Sequence, residues 1–247
     1  MRTAHRLHEI RLAVMFLTRL PVGILPEPVP TLAEARWAFP LAGLPVGLAG
    51  GLVFALAGWI GLAPLLAAVL ALAAMVMITG ALHFDGLADV ADGFGGGRDA
   101  AHALEIMRDS RIGSYGAVAL VLTVGAWAAA LSGLSPARGL MALLALSVLS
   151  RLAMLVLLVE LPSVRAKGLG QSASASGGRP YLPGALLALV LILPLGIGGL
   201  AALVAVAVTA ALVAWRAQRR IGGQTGDVLG AAQLLCETAG LAALTLG

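Results

Sequence analysis

The sequence predicts an all-α fold: a polytopic integral membrane bundle of about seven transmembrane helices, preceded by an N-terminal amphipathic helix, with the N-terminus cytoplasmic. Three observations predict it. Of the 247 residues, 60% are hydrophobic and only 11% are charged, against about a quarter charged in a typical soluble domain. The apolar residues fall into runs of about 20, the length a helix needs to cross a bilayer. The basic residues collect in alternate loops, as the positive-inside rule requires. No polar stretch is long enough for a second domain, so residues 1–247 read as one membrane domain.

From Thr3 to Leu20, Ile10, Val14 and Leu17 recur at helical spacing while Arg11 and Arg19 lie elsewhere around the helix. A basic amphipathic helix on the membrane surface fits; so does a helix packed on the protein's own cytoplasmic side. Arg2, Arg6, Arg11 and Arg19 break up any signal-peptide core. Spans are then expected at Trp37–Ile60, Ala63–Leu82, Tyr115–Leu134 and Gly139–Val159, separated by turns at Gly61–Pro64 and Ser135–Pro136. Tyr181–Trp215 is too long for one helix and breaks at the Gly196–Gly199 cluster. A last span runs from Gly226 to the C-terminus.

With the N-terminus inside, the inner segments hold Arg98, Arg108, Arg111, Arg165, Lys167, Arg179, Arg216, Arg219 and Arg220, while the outer loops hold only Arg138. Merging the fifth and sixth spans would move the last basic group outside. The acids follow the same side. The site is therefore expected at the cytoplasmic surface. The basic residues are scattered and aromatic residues make up only 4% of the chain, which argues against a nucleic-acid partner. Cys236 stands alone, so no intrachain disulfide can form, and no histidine sits in a zinc-binding spacing.

The most informative stretch runs from Gly80 to Gly116. Asp85, Asp89 and Asp92 are spaced i, i+4 and i+7 and share one helical stripe. Like charges on one stripe repel, and no lysine or arginine lies between His83 and Phe94. A solvated helix face is the plain reading, but three unpaired acids at a membrane surface call for a cation. Glu105 and Asp109 make a second i, i+4 pair beside Arg108 and Arg111. Oxygen donors without histidine or cysteine favour magnesium, manganese or calcium, and nearby arginines suit phosphate oxygens. Gly93–Gly97 suits either an anion-binding nest or a flexible turn. His83 reads as a ligand, a base or a structural residue. Ile221–Asp227 and Ser163–Gly170 are two further polar islands, and Ser172–Gly178 reads as a loop of small residues. Arg151 and Glu237 lie within spans, where charges face the bundle interior; Arg151 is near enough the inner end to reach a substrate.

G-A-L-H-F-D-G-L-A-D-V-A-D-G from Gly80 and E-I-M-R-D-S-R-I-G-S-Y-G from Glu105 resemble the adenosylcobinamide-GDP ribazoletransferase (cobalamin-5′-phosphate synthase) family. So do Phe16–Val22, Phe39–Gly43 and Gly222–Ala231, so the likeness spans most of the chain. One departure is Lys167, where an acid is expected before the glycine. The resemblance implies a magnesium-dependent transferase, with manganese as a second metal, in a bacterial cytoplasmic (inner) membrane. It joins adenosylcobinamide-GDP to α-ribazole or its 5′-phosphate and releases GMP.

On that reading Asp85, Asp89, Asp92, Glu105, Asp109 and Asp227 bind metal, and Asp85, Asp89 and Asp109 are catalytic. His83, Arg108, Ser110, Arg111, Arg151, Arg165, Lys167 and Thr225 contact substrate. Membrane lipid is a further partner, and a homo-oligomer is open to the chain. Asp89-Val-Ala-Asp92-Gly93 also has the D-x-x-D-G form of CDP-alcohol phosphotransferases, without the Ala-Arg that should follow. Such a phosphotransferase, or a transporter, is the alternative.

Overall fold

The computed structural model describes residues 2–165, 172–173 and 180–246. It is helical, and among the described residues the only β-type pairing is an isolated parallel bridge between Ser163 and Gln224. We number the helices α1 (Arg2–Leu17), α2 (Leu32–Ala35), α3 (Gly43–Trp59), α4 (Pro64–Thr79), α5 (Leu82–Gly96), α6 (Ala100–Ile106), α7 (Ser114–Ser132), α8 (Pro136–Glu160), α9 (Leu182–Ile192), α10 (Gly196–Ile221) and α11 (Gly226–Ala243).

Five helical stretches are long and apolar enough to cross a bilayer, or six if α4 and α5 count as one bent span. On that measure 182–221 is a single stretch of 40 residues, about twice what a bilayer needs. Its contacts show that it doubles back. Gly184 lies against Pro40 and Leu152, Gly198 lies against Arg138 and Leu244 at the opposite end of the bundle, and Gly223 just beyond the stretch lies against Pro162, two residues from the Glu160 that bonds Tyr181 at its start. The reversal falls at Gly196, whose φ of +63° is a conformation open to glycine. The split anticipated at Gly196–Gly199 is therefore present.

α8 and α11 form the centre. They are 78% and 72% buried over their most apolar windows, against 28% for α7. Lipid tails are as apolar as leucine, so helices in a membrane associate through close contact of small residues. α3 does this with glycines every fourth residue. A Cβ on Gly47 would stand 2.5 Å from the Leu143 carbonyl oxygen of α8, and one on Gly43 would stand 2.6 Å from the Ser147 carbonyl carbon. Around this core, α4, α7, α9 and α10 expose Leu65, Met77, Val121, Leu122, Val190 and Leu200. Water would not tolerate so extensive an apolar surface, while hydrocarbon does. Trp59 and Trp215 are exposed at opposite ends of the bundle, suiting the two interfaces.

α1 packs on the bundle. Ala13 and Leu17 are buried with Phe39, Met154 and Leu158, and the Arg19 N–H donates to the Ile78 carbonyl at 2.6 Å. Leu7 remains exposed on its other side. The second span departs from expectation at its end. α4 stops at Thr79, Gly80 and Ala81 both take left-handed conformations with φ of 64° and 60°, and α5 leaves at 93° to α4. This corner swings the acidic helix across the end of the bundle.

Candidate active site

Two close approaches place the acidic helix. A Cβ on Gly86 of α5 would stand 2.8 Å from the Asp227 carbonyl oxygen, and one on Gly230 of α11 would stand 3.4 Å from the His83 Cα. Leu87 and Val90 on the same helix are buried with Val228, Ala231 and Leu234 of α11. The crossing brings Asp85 and Asp89 to the first turn of α11, where Asp227 stands. The charges acting on Asp89 are those of Asp227 and Asp85, then Arg165, then Asp92.

Thr225 caps α11, its Oγ1 accepting from the Val228 N–H at 3.3 Å and lying 3.3 Å from Asp227 Oδ2. Arg165 Nη2 donates to the same Oδ2 at 2.8 Å. Val164 and Gln224 hold that arginine in place. The Val164 N–H donates to the Gln224 carbonyl at 3.0 Å, and the Gln224 N–H donates to the Pro162 carbonyl at 2.8 Å. Asp89 and Asp227 thus share Arg165 as counter-charge, with Asp85 near enough to act on both. Asp85 is exposed and Asp89 half-buried.

Asp92, on the same stripe, has another engagement. Its Oδ2 accepts from the Gly113 N–H at 2.7 Å and its Oδ1 from the Gly116 N–H at 2.9 Å. These are the opening amides of α7, which has no side-chain cap of its own. A carboxylate at a helix N-terminus is favoured by the free amides and the dipole. The two glycines of R-I-G-S-Y-G are explained by it, since a Cβ on either would run into the Asp92 carboxylate. The predicted metal ligand Asp92 is therefore the α7 cap, with both oxygens occupied and its side chain buried.

The second acidic pair sits on an exposed rim. Ala103 and Met107 pack α6 against Gly93 and Gly97 of α5. Glu105 and Arg108 point outward, and among the described residues neither side chain has a hydrogen bond or ion pair. Ser110 is exposed beside them. Asp109 is gripped by Arg111, with Nε 3.0 Å from Oδ1 and Nη2 2.5 Å from Oδ2. That guanidinium holds the Asp109 carboxyl down at about 2. A base with so low a pKa is ill matched to taking a proton near neutrality, which weighs against Asp109 as the base. Among the described residues no three histidine, cysteine or carboxylate side chains are placed to grip one metal ion unaided.

Arg151 is not at this surface. It is 1% exposed, donates from Nη1 to the Ser147 carbonyl at 2.9 Å, and keeps an unpartnered Nε. Its position near the helix end suggested substrate contact, but α8 runs past the end of α3 and buries this turn. Nearby, Glu237 accepts from Trp127 Nε1, Ser147 Oγ and Gln233 Nε2 at 3.2, 3.3 and 2.9 Å. Arg151, Glu237, Gln233 and His83 surround a cavity of about 20 Å³, room for one water. His83 is buried with Nε2 unpartnered. Lys167 lies outside the described residues, as does most of the small-residue loop. Sequence reasoning placed Glu237 in the bundle interior but missed its hydrogen-bond partners, because a buried polar set spread over three helices has no signature along one of them. It also missed Gln224, fully buried with both amide atoms unpartnered; only its place between the glycines and Asp227 pointed to it.

Beside the carboxylates a chamber of about 600 Å³ opens between α1, α2, α5, α8 and α11. Among the described residues, Asp85, Asp227 and His83 are its titratable wall residues; the rest is apolar, including Phe16, Phe39, Met154, Leu158 and Leu229. The arrangement offers negative oxygen donors and one arginine at the mouth of an apolar recess. It can hold a cation, receive a proton and seat an apolar group.

Residues 9–245 match the family model described as Cobalamin-5-phosphate synthase. Curated relatives named adenosylcobinamide-GDP ribazoletransferase include one from Bradyrhizobium diazoefficiens, 47% identical over 90% of this chain and 87% of its own length. One from Azorhizobium caulinodans is 46% identical over 97% and 96%, and one from Mesorhizobium japonicum is 45% identical over 94% and 91%. No solved structure matches. With the family model covering nearly all of the chain and these relatives similar from end to end, the chain belongs to the cobalamin-5-phosphate synthase family.

Proposed function

We propose that this chain joins adenosylcobinamide-GDP to α-ribazole, or to its 5′-phosphate, and releases GMP. The observation that carries the reading is the meeting of Asp85, Asp89 and Asp227 with Arg165 at the mouth of the chamber, in a chain of this family. A hydroxyl of the acceptor ribose attacks the phosphorus attached to cobinamide. A new phosphorus–oxygen bond forms to the acceptor, and the bond to the GMP oxygen breaks. Asp85, exposed and without a partner among the described residues, takes the hydroxyl proton. Arg165 holds phosphate oxygens, as a guanidinium does well, and Arg108 with its free side chain meets the nucleotide phosphates from the rim.

The donor set fits magnesium, with manganese as the alternative. Asp89 and Asp227 face Arg165, and every donor is a hard oxygen. Asp89 and Asp227 would hold the ion, and phosphate oxygens and water would complete its shell, as is usual for magnesium. When bound, the ion supplies neutralisation of the diphosphate charge. The acidic end faces the cytoplasm in this reading.

The test is GMP release by purified protein given adenosylcobinamide-GDP and α-ribazole 5′-phosphate, with and without magnesium. Metal-dependent release, matched mole for mole by a new corrinoid product, is expected. No release from folded protein supplied with lipid would overturn the reading.

A further inference from the structure

We propose that the apolar chamber beside Asp85 and Asp227 seats the heteroaromatic base of the acceptor, with the acceptor's ribose turned toward the carboxylates. The proposal rests on the transferase reading and assigns a binding subsite to one of its two substrates.

Four features of the chamber select that occupant. Its size is the first: about 600 Å³ is ample for a nucleoside and too small for a corrinoid with its side chains. The second is its chemistry. Apart from Asp85, Asp227 and His83 the wall formed by the described residues is apolar, so a group with several unmet donors and acceptors would lose roughly 1–3 kcal/mol for each one buried there, whereas a benzimidazole-type ring has few. The third is its furniture. Phe16 and Phe39 stand with ring centroids 5.5 Å apart and planes tilted by 32°, and Met15 and Met154 share the wall. Thioether sulfur and aromatic edges suit a flat ring.

The fourth is charge. Among the described residues the chamber's carboxylates are those of Asp85 and Asp227, and a phosphate group pressed against them with no metal ion between would be repelled. That disfavours the donor's diphosphate within the recess, and it equally disfavours a phospholipid entering tail first with its headgroup at Asp85 and Asp227. A neutral ribose offering hydroxyls to carboxylates meets no such penalty. The seat also places the acceptor's reacting hydroxyl beside the residue that takes its proton, which is the orientation a displacement at phosphorus needs.

Two measurements test the assignment. In the first, wild-type protein is irradiated with an α-ribazole carrying a diazirine on its base, and the adducts are mapped. Adducts in α1 and α8, at Met15, Phe16 or Met154, are expected, and unlabelled α-ribazole should compete them away. Adducts confined to the α6–α7 segment, or labelling of the chamber by a diazirine phospholipid that α-ribazole does not displace, would overturn the proposal.

In the second measurement, Met154→Phe narrows the chamber and Phe39→Ala widens it. Each is expected to raise KM for the acceptor about tenfold, leave KM for adenosylcobinamide-GDP within twofold, and change kcat little. Gly125→Ala, in open space on α7 and away from the chamber, should behave as wild type. A rise in donor KM, or no change in either, sinks the chamber assignment while leaving the transferase standing. Absence of turnover in wild-type protein sinks the transferase reading itself, and the adduct map still reports where the acceptor binds.

Discussion

At the scale of single residues, the acidic stripe divides into two jobs. Asp89 looks toward Asp227 and Arg165, while Asp92 is spent on the amides of Gly113 and Gly116. The two aspartates should therefore fail differently when each is changed to asparagine. Asp89→Asn keeps size and removes charge at the reacting centre. Turnover is expected to fall at least a thousandfold, with the protein still in the membrane at an unchanged Tm. Asp92→Asn turns an NH2 group toward one of two amides that need an acceptor, at a cost of about 1–3 kcal/mol for the unmet donor. Its Tm should fall by several degrees while measurable turnover survives at low temperature. A dead Asp92→Asn protein with wild-type Tm would return Asp92 to the ligand set. The spacing i, i+4, i+7 revealed that three acids share a face, but not which of them another helix had claimed. Asp109 follows the same logic. Held near 2 by Arg111, it contributes to stability above the ordinary carboxylate range and loses that contribution only as pH falls toward 2. Any pH dependence of activity near neutrality thus comes from other groups.

At the scale of elements, glycine decides where helices can touch. Apolar runs gave the spans to within a few residues, because a bilayer imposes length and apolarity on every crossing helix. They did not foretell the 93° corner after Thr79, since Gly80 marks a helix end but nothing in Ala81 announces a second left-handed residue. Nor did they tell a packed glycine from an idle one. Gly47 of α3 meets the α8 backbone, whereas Gly125 in α7 has nothing within 4 Å of its Cβ position. Gly47→Ala should overpack the central pair by about 1–3 kcal/mol, lowering Tm and the yield of folded protein. Gly125→Ala places a methyl group in open space on an exposed turn and should be neutral in both measures. Equal effects would mean that α3 and α8 are not in close contact. The same rule builds the site, because Gly86 and Gly230 let α5 cross α11 closely enough for Asp227 to join Asp85 and Asp89.

At the scale of the whole molecule, nearly all the charge lies at one end of the bundle. The acids of α5 and α6, the Arg165–Asp227 pair and the basic end of α10 at Arg216, Arg219 and Arg220 gather there, and among the described residues only Arg138 stands at the other. A bilayer reads that asymmetry as orientation, because loops rich in lysine and arginine stay on the cytoplasmic side. The chain supplies its own control for testing this, since its single cysteine, Cys236, is 0% exposed and should be silent to a membrane-impermeant maleimide. Ala101 in α6 and Ala137 at the start of α8 are exposed at opposite ends. In intact cells Ala137→Cys is expected to label and Ala101→Cys to label only after lysis. The reverse pattern would put the carboxylates outside, away from cytoplasmic substrates, and would undo the assignment of the acidic end as the place where they meet. The expected pattern would also account for an enzyme of polar substrates that is nonetheless built in a membrane. The lipid-facing helices serve as a scaffold whose one polar end holds the chemistry, with the apolar chamber reaching inward from it.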